Sequence, residues 1–289
     1  MLQDMEQLYR LEQDHVRFIQ ALIAANPQWH RSRLSLELCK VWNWQSPSGQ
    51  YKDMACRSLL LKLDRTGVIV LPPRRKDRTF NPLPSYSSVP HQTEAITGGL
   101  KHLLPLQIRD ANHRSDDYKL FSFLLSQYHY LSYRGAVGEN IKYLVYDAQG
   151  RPLSCLLFVS AAWKTAPRDA FIGWNQAVRE TRLRYLTNNM RFLILPWVRV
   201  PYLASHILSR IARRISDDWQ HKYGHPVYLL ETFVDCSRFR GICYRSANWI
   251  LTGQTGGRTR NDRNHDIQAP VKDIYVYPLT RDFRRRLCS

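Results

Sequence analysis

Ile141-Lys-Tyr-Leu-Val-Tyr146, the turn Asp147-Ala-Gln-Gly150 and the run Leu153 to Val159 read as a β-hairpin. The sequence around it alternates helical and strand patterns. Upstream, Ser115 sits where an N-cap would, with Asp116 and Asp117 in the first turn. Phe121, Leu124, Leu125 and Tyr128 then follow at helical spacing. Downstream, Phe192 to Val200 reads as a strand and Leu203 to Ile215 as a helix. Val227 to Val234, a short helix around Phe239 to Ala247, Trp249 to Gly253 and Asp273 to Tyr277 complete the order. This predicts a mixed α/β domain over 116–289 with a mixed sheet, a basic loop and a basic tail.

The first 75 residues read as helices. Met5, Leu8, Val16, Ile19 and Ile23 keep an apolar stripe up to Asn26-Pro27, and Ser32 suits the cap of a second helix. After the turn signal Gln45 to Gly49, a third helix spans about Tyr51 to Arg65. It carries Lys52, Arg57, Ser58, Lys62 and Arg65 away from its apolar face. Val68 to Leu71 reads as a strand, and the basic run Arg74-Arg75-Lys76 follows two prolines. That order predicts a winged helix-turn-helix, whose third helix enters the major groove while the wing lies on phosphate. A three-helix bundle for protein contacts has the same pattern. Six of the fifteen prolines fall between Pro72 and Pro105, and with the Gly98-Gly99 pair they predict a linker over 76–115.

Charge narrows the function. The 289 residues hold 42 Lys+Arg against 24 Asp+Glu, a net of +18, and 32 of those cations are arginine. Guanidinium forks grip phosphate bidentately and stack on bases, so nucleic acid is the expected partner rather than a membrane. No apolar run approaches the roughly 18 residues of a membrane span, and no signal peptide is visible. Six cysteines without CxxC or zinc-finger spacing suit reduced thiols in the cytoplasm.

The candidate phosphate contacts are Lys52, Arg57, Ser58, Lys62, Arg65, Arg74 and Arg75 in the first part. In the second they are Arg238, Arg240, Arg258, Arg260 and Arg263. The last three flank Gly256-Gly257, in a loop that lacks the GK[ST] ending of a P-loop.

Three residues are candidates for chemistry: Glu231, Asp235 and Tyr244. A carboxylate inside the apolar run Leu229 to Asp235 is costly unless paired or used. Glu231 and Asp235 share a strand face but stand about 13 Å apart, too far for the ions of two-metal phosphoryl chemistry, which lie about 4 Å apart. Pairing of Glu231 with an arginine such as Arg191, and capping of Ser237 by Asp235, are the structural alternatives. Mg²⁺ is implied only if the chain processes DNA as a nuclease or transposase-like enzyme.

The helix and strand order resembles the acyltransferase fold of the general N-acetyltransferase superfamily. Tyr244-Arg-Ser-Ala-Asn-Trp249 lies where that superfamily often has a Tyr acting as general acid. The superfamily's pyrophosphate loop is Gly-rich, whereas Arg199-Val-Pro-Tyr-Leu-Ala-Ser205 has no glycine. Acetyl-CoA is therefore not expected, and acyl transfer onto nucleic acid or protein is an alternative function. The wording from Trp163-Lys-Thr-Ala-Pro-Arg-Asp169 through Arg191 to Val198, Glu231 to Asp235 and Arg238-Phe-Arg-Gly241 also resembles the DruA family. So does Val271 to Leu279. That resemblance implies a bacterial anti-phage defence or mobile-element setting, with partners from the same defence or transposon locus, and supplies no catalytic residues.

Overall fold

A computed structural model describes residues 13–46, 49–73, 85–111, 115–257 and 270–289. The chain forms two compact units, Met1–Pro82 and Leu83–Ser289.

In the first unit, α1 (Gln13–Ala25), α2 (Arg31–Val41) and α3 (Asp53–Arg65) pack around Ile19, Leu34, Leu38, Leu60 and Leu63. The second helix starts one residue before the expected cap: His30 is the N-cap, its Nδ1 accepting from the Arg33 N–H at 3.2 Å. The strand expected over Val68 to Leu71 is not formed: the segment begins in a bend and pairs with no strand among the described residues. Side chains meet its polar groups instead. Gln20 Nε2 donates to the Val68 carbonyl at 2.8 Å, and Asp64 Oδ1 accepts from the Leu71 N–H at 2.9 Å. Ile69 and Leu71 are buried beside the helices, so this segment closes the helical core.

The second unit is built on a seven-stranded mixed sheet. Its strands are β2 (Gln107–Asp110), β3 (Asn140–Tyr146), β4 (Pro152–Ser160), β5 (Leu186–Ile194), β7 (Leu229–Asp235), β9 (Lys272–Pro278) and β8 (Ile250–Gln254), in that spatial order. A short parallel pair, β1 (Ile96–Thr97) with β6 (Val198–Arg199), stands beside it. Every neighbouring pair of the large sheet is antiparallel except β5 and β7. The hairpin strands β3 and β4 are buried almost throughout, as strands covered on both faces must be.

Helices α4 (Asp116–Tyr128), α7 (Leu203–Ala212) and α8 (Ile215–Tyr223) bury Phe121, Leu124, Ile207, Ile211 and Trp219 in the main core. Ser115 caps α4, accepting from the Tyr118 N–H at 3.2 Å. A smaller core joins Ile172 and Trp174 to Leu186, Leu229, Phe283 and Leu287. It covers α5 (Ala166–Ile172) and α10 (Phe283–Cys288); α6 (Gln176–Arg182) and α9 (Ile242–Ser246) complete the elements.

Three boundaries differ from expectation. The linker over 76–115 is shorter, because from residue 85 the chain belongs to the second unit. It supplies β1 and the edge strand β2, and buries Leu103, Leu106 and Ala111. Its prolines and glycines break short elements that still pack. The strand expected to start at Phe192 starts at Leu186. Its polar opening is offset by hydrogen bonds: Thr187 Oγ1 donates to the Val159 carbonyl at 2.8 Å and Asn189 Nδ2 to the Leu157 carbonyl at 3.3 Å. The long helix from Leu203 breaks after Ala212 into α7 and α8.

Candidate functional site

The parallel pair β5 and β7 holds for three residue pairs, ending at Asn188 opposite Glu231. Beyond that point the strands diverge. A bulge at Met190, between the Phe158–Asn189 and Leu157–Arg191 pairs, turns β5 further. The fork opens into a cleft of about 960 Å³.

Its floor is a closed set of polar contacts. The Tyr244 hydroxyl donates to Asn189 Oδ1 at 2.7 Å, and Thr232 Oγ1 donates to the Asn189 carbonyl at 3.0 Å. Burial pushes the Tyr244 phenol well above the ordinary range, so it stays protonated as a donor. Its ring lies against Trp249 at 5.0 Å and stacks on Tyr275 at 5.9 Å. Gly241, at φ +64, lets the chain enter α9 above this stack, where a Cβ would stand 2.5 Å from the Tyr275 hydroxyl.

The walls are cationic and aromatic. Arg191 donates from Nε to the Ser132 carbonyl at 3.2 Å and from Nη1 to the Met190 carbonyl at 2.9 Å. It forms no ion pair among the described residues. Burial and the Arg191 charge hold the His129 imidazole down to about 4, so His129 is neutral at pH 7. Next to it, the half-exposed Tyr130 ring carries the Arg238 guanidinium at 4.7 Å and Phe239 at 5.3 Å. Arg240 and Lys272 also line the cleft. Asp235 is the one carboxylate among its described lining residues. Its Oδ1 accepts from the Ser237 N–H at 3.0 Å and hydroxyl at 2.7 Å, the capping role read from sequence.

Glu231 does not share this site. Side chains alternate along β7, so Glu231 faces α5 while Thr232 faces Tyr244. Both Glu231 and Arg168 are fully buried, and Oε2 accepts from Arg168 Nη1 at 2.7 Å. Oε1 accepts from the Ala162 N–H at 2.6 Å. Arg168 continues to Asp169 at 2.7 Å, and Asp169 to Arg179 at 3.3 Å. Burial pushes the Glu231 carboxyl up, and Arg168 with the Ala162 amide pulls it back. The partner is thus Arg168 and not Arg191. Asp235 and Tyr244 both reach the cleft, and Glu231 belongs to a separate ion network.

The residues that sequence reading passed over are His129, Tyr130, Asn189, Thr232 and Lys272. Two signals pointed to them: the aromatic run Tyr128-His-Tyr130 at a helix end, and an Asn pair inside an apolar strand. On α3 and at its start, Lys52, Ser58, Lys62 and Arg65 are exposed. Arg57 is half-buried, pairs with Asp53 and donates to Ser35 Oγ at 3.4 Å. Arg74, Arg75, Arg258, Arg260 and Arg263 lie outside the described residues.

Among the described residues no group of three or more His, Cys, Asp or Glu side chains is placed to hold a metal ion. No helix among them is long and apolar enough to cross a membrane. No curated protein matches the chain. Among solved structures, it is similar to a spermidine/spermine N-acetyltransferase from Vibrio cholerae in complex with manganese ions. The identity is 10%, covering 62% of this chain and 96% of that one, with a TM-score of 0.39. A spermidine N-acetyltransferase from the same organism, in complex with CoA and spermine, is 8% identical. It covers 64% and 98% of the two chains, with a TM-score of 0.40. A likeness of this size transfers no activity. The model of the family described as Druantia protein DruA matches residues 74–269, and the chain belongs to that family.

Proposed function

We propose that the chain serves anti-phage defence as a nucleic-acid-binding protein, gripping a phosphate-bearing strand in the cleft between β5 and β7. The observation that carries this reading is Arg191. It is a half-buried guanidinium on the cleft wall, tied to two main-chain carbonyls and matched by no carboxylate among the described residues. A desolvated cation of this kind favours an anionic ligand. Arg238, Arg240 and Lys272 add charge at the same cleft, and the chain's net charge of +18 suits a polyanion. The exposed Lys52, Lys62 and Arg65 at α3 give the first unit a basic helix, in keeping with a helix-turn-helix contact to duplex.

The other two readings draw less support. Metal-dependent strand cleavage needs converging carboxylates, yet Glu231 is held by Arg168 on the far face of β7 and Asp235 caps Ser237. Acyl transfer has the Tyr244 hydroxyl at the fork in its favour. That hydroxyl is committed to Asn189, and the 199–205 turn has no glycine to cradle a pyrophosphate.

The test is fluorescence anisotropy of labelled oligonucleotides over a salt series. Binding should weaken log-linearly with salt, and the exposed pair R238A/R240A should lower both affinity and slope. Salt-independent binding, or none, would remove the proposal.

A further inference from the structure

We infer that the mouth of the cleft takes an unpaired base, so the cleft selects single-stranded nucleic acid, with Tyr130 as the stacking platform. This inference rests on the nucleic-acid reading of the cleft and specifies its substrate.

The geometry points there in three ways. First, Tyr130 is 39% exposed at the cleft rim, beside Phe239 at 46%. Exposed aromatic rings at a basic groove are what sequence-tolerant binding of single strands uses, because every base has a π-face. Second, the ring is held in place before any ligand arrives. His129 lies 4.8 Å from it at an interplanar angle of 30°, and His129 Nδ1 is fixed by the Leu131 N–H at 3.1 Å. Phe239 closes in at 5.3 Å, and the Arg238 guanidinium rests over one ring face at 4.7 Å, the place a stacking base takes as the guanidinium turns to its phosphate. A pre-set platform spares a ligand the entropy of ordering it. The same Arg238 keeps a charged fork within reach of the phosphate that follows a stacked base.

Third, the dimensions exclude a duplex. Two strands of one sheet, about 4.8 Å apart where paired, diverge only over the last few residues of β7. The resulting 960 Å³ lies at the upper end of single-ligand pockets, which run to roughly 1,000 Å³. A B-form helix, whose major groove alone is about 12 Å wide, does not fit within that volume. A nucleotide with its flanking phosphates can.

The experiment uses the full chain and a single-stranded oligodeoxynucleotide carrying one 2-aminopurine, with the same sequence as duplex for comparison. Wild type should quench the 2-aminopurine on binding. With exposed Lys62 and Arg65 both changed to alanine, the chain should bind the single strand more tightly than the duplex. Tyr130→Ala should lower single-strand affinity by about ten-fold or more and abolish the quench. Tyr130→Phe, which keeps the ring, should preserve both. If Tyr130→Ala binds and quenches as wild type does, or the cleft favours duplex, the stacking inference is wrong. If in addition R238A/R240A still weakens binding, a phosphate-gripping cleft survives without base stacking. If that variant changes nothing either, both readings fall.

Discussion

Glu231 Oε2 and Arg168 Nη1 stand 2.7 Å apart with both side chains fully buried, and this pair fastens the β4–α5 connection to the centre of the sheet. Burying two charges is favourable only when every remaining donor and acceptor is met. Here Arg168 also donates to the Ala162 carbonyl at 2.8 Å and to Asp169 at 2.9 and 2.7 Å.

Glu231→Gln replaces one of the two carboxylates that Arg168 meets by a neutral amide at a fully buried position. The expected loss is about 1–3 kcal/mol of stability, read as a lower denaturation midpoint with an unchanged m-value. Oligonucleotide affinity of the folded protein should match wild type. A variant that melts like wild type but abolishes anti-phage protection would instead assign Glu231 a chemical role.

The His129 imidazole sets a pH dependence. Its folded pKa is held down to about 4 while the unfolded chain titrates near 6.5. Between those values the unfolded state binds the extra proton. Stability from this group is therefore full above about pH 6.5 and is lost as pH falls toward 4. Wild type should lose thermal stability over that window, and His129→Gln should flatten this part of the profile. Parallel profiles for the two proteins would contradict the assignment.

On α3, the exposed Lys62 and Arg65 are available to a duplex, whereas Arg57 is held by Asp53. Replacing Lys62 and Arg65 by alanine should weaken duplex binding and reduce the log-log salt slope by about 0.9 for each phosphate no longer neutralised. Arg57→Ala should change the slope little. Equal slopes for wild type and the double variant would exclude this helix from the DNA interface.

The main strands were legible because apolar content and turn chemistry coincide there. Ile141 to Tyr146 and Leu153 to Val159 both lie in buried strands around Asp147-Ala-Gln-Gly150. What escaped was long-range. Nothing local pairs Glu231 with Arg168, 63 residues away, and the start of β5 hides behind Thr187, Asn188 and Asn189. The cleft escaped as well, since it arises from where two parallel strands part. Only the run Tyr128-His-Tyr130 and the basic Arg238-Phe-Arg240 hinted at its rim. Helices α5, α6 and α10 are short, and their apolar positions are too few to show a period.

Acetyl-CoA should not bind in the micromolar range. At the start of α7, Tyr202 takes φ 65 with its side chain 81% exposed, and Pro201 lacks an N–H. With no glycine in 199–205, the turn offers no Gly-rich cradle for a pyrophosphate. Titration calorimetry checks this. A saturable micromolar isotherm would favour acyl transfer over strand binding.

Binding of nucleic acid at the β5–β7 fork can be read by amide hydrogen exchange with and without a single-stranded oligonucleotide. Protection should concentrate at 128–132, 189–194 and 232–244, with the Glu231–Arg168 region otherwise unchanged around 162–172. Protection confined to residues 13–73, or absent from the fork while the oligonucleotide is bound, would contradict it.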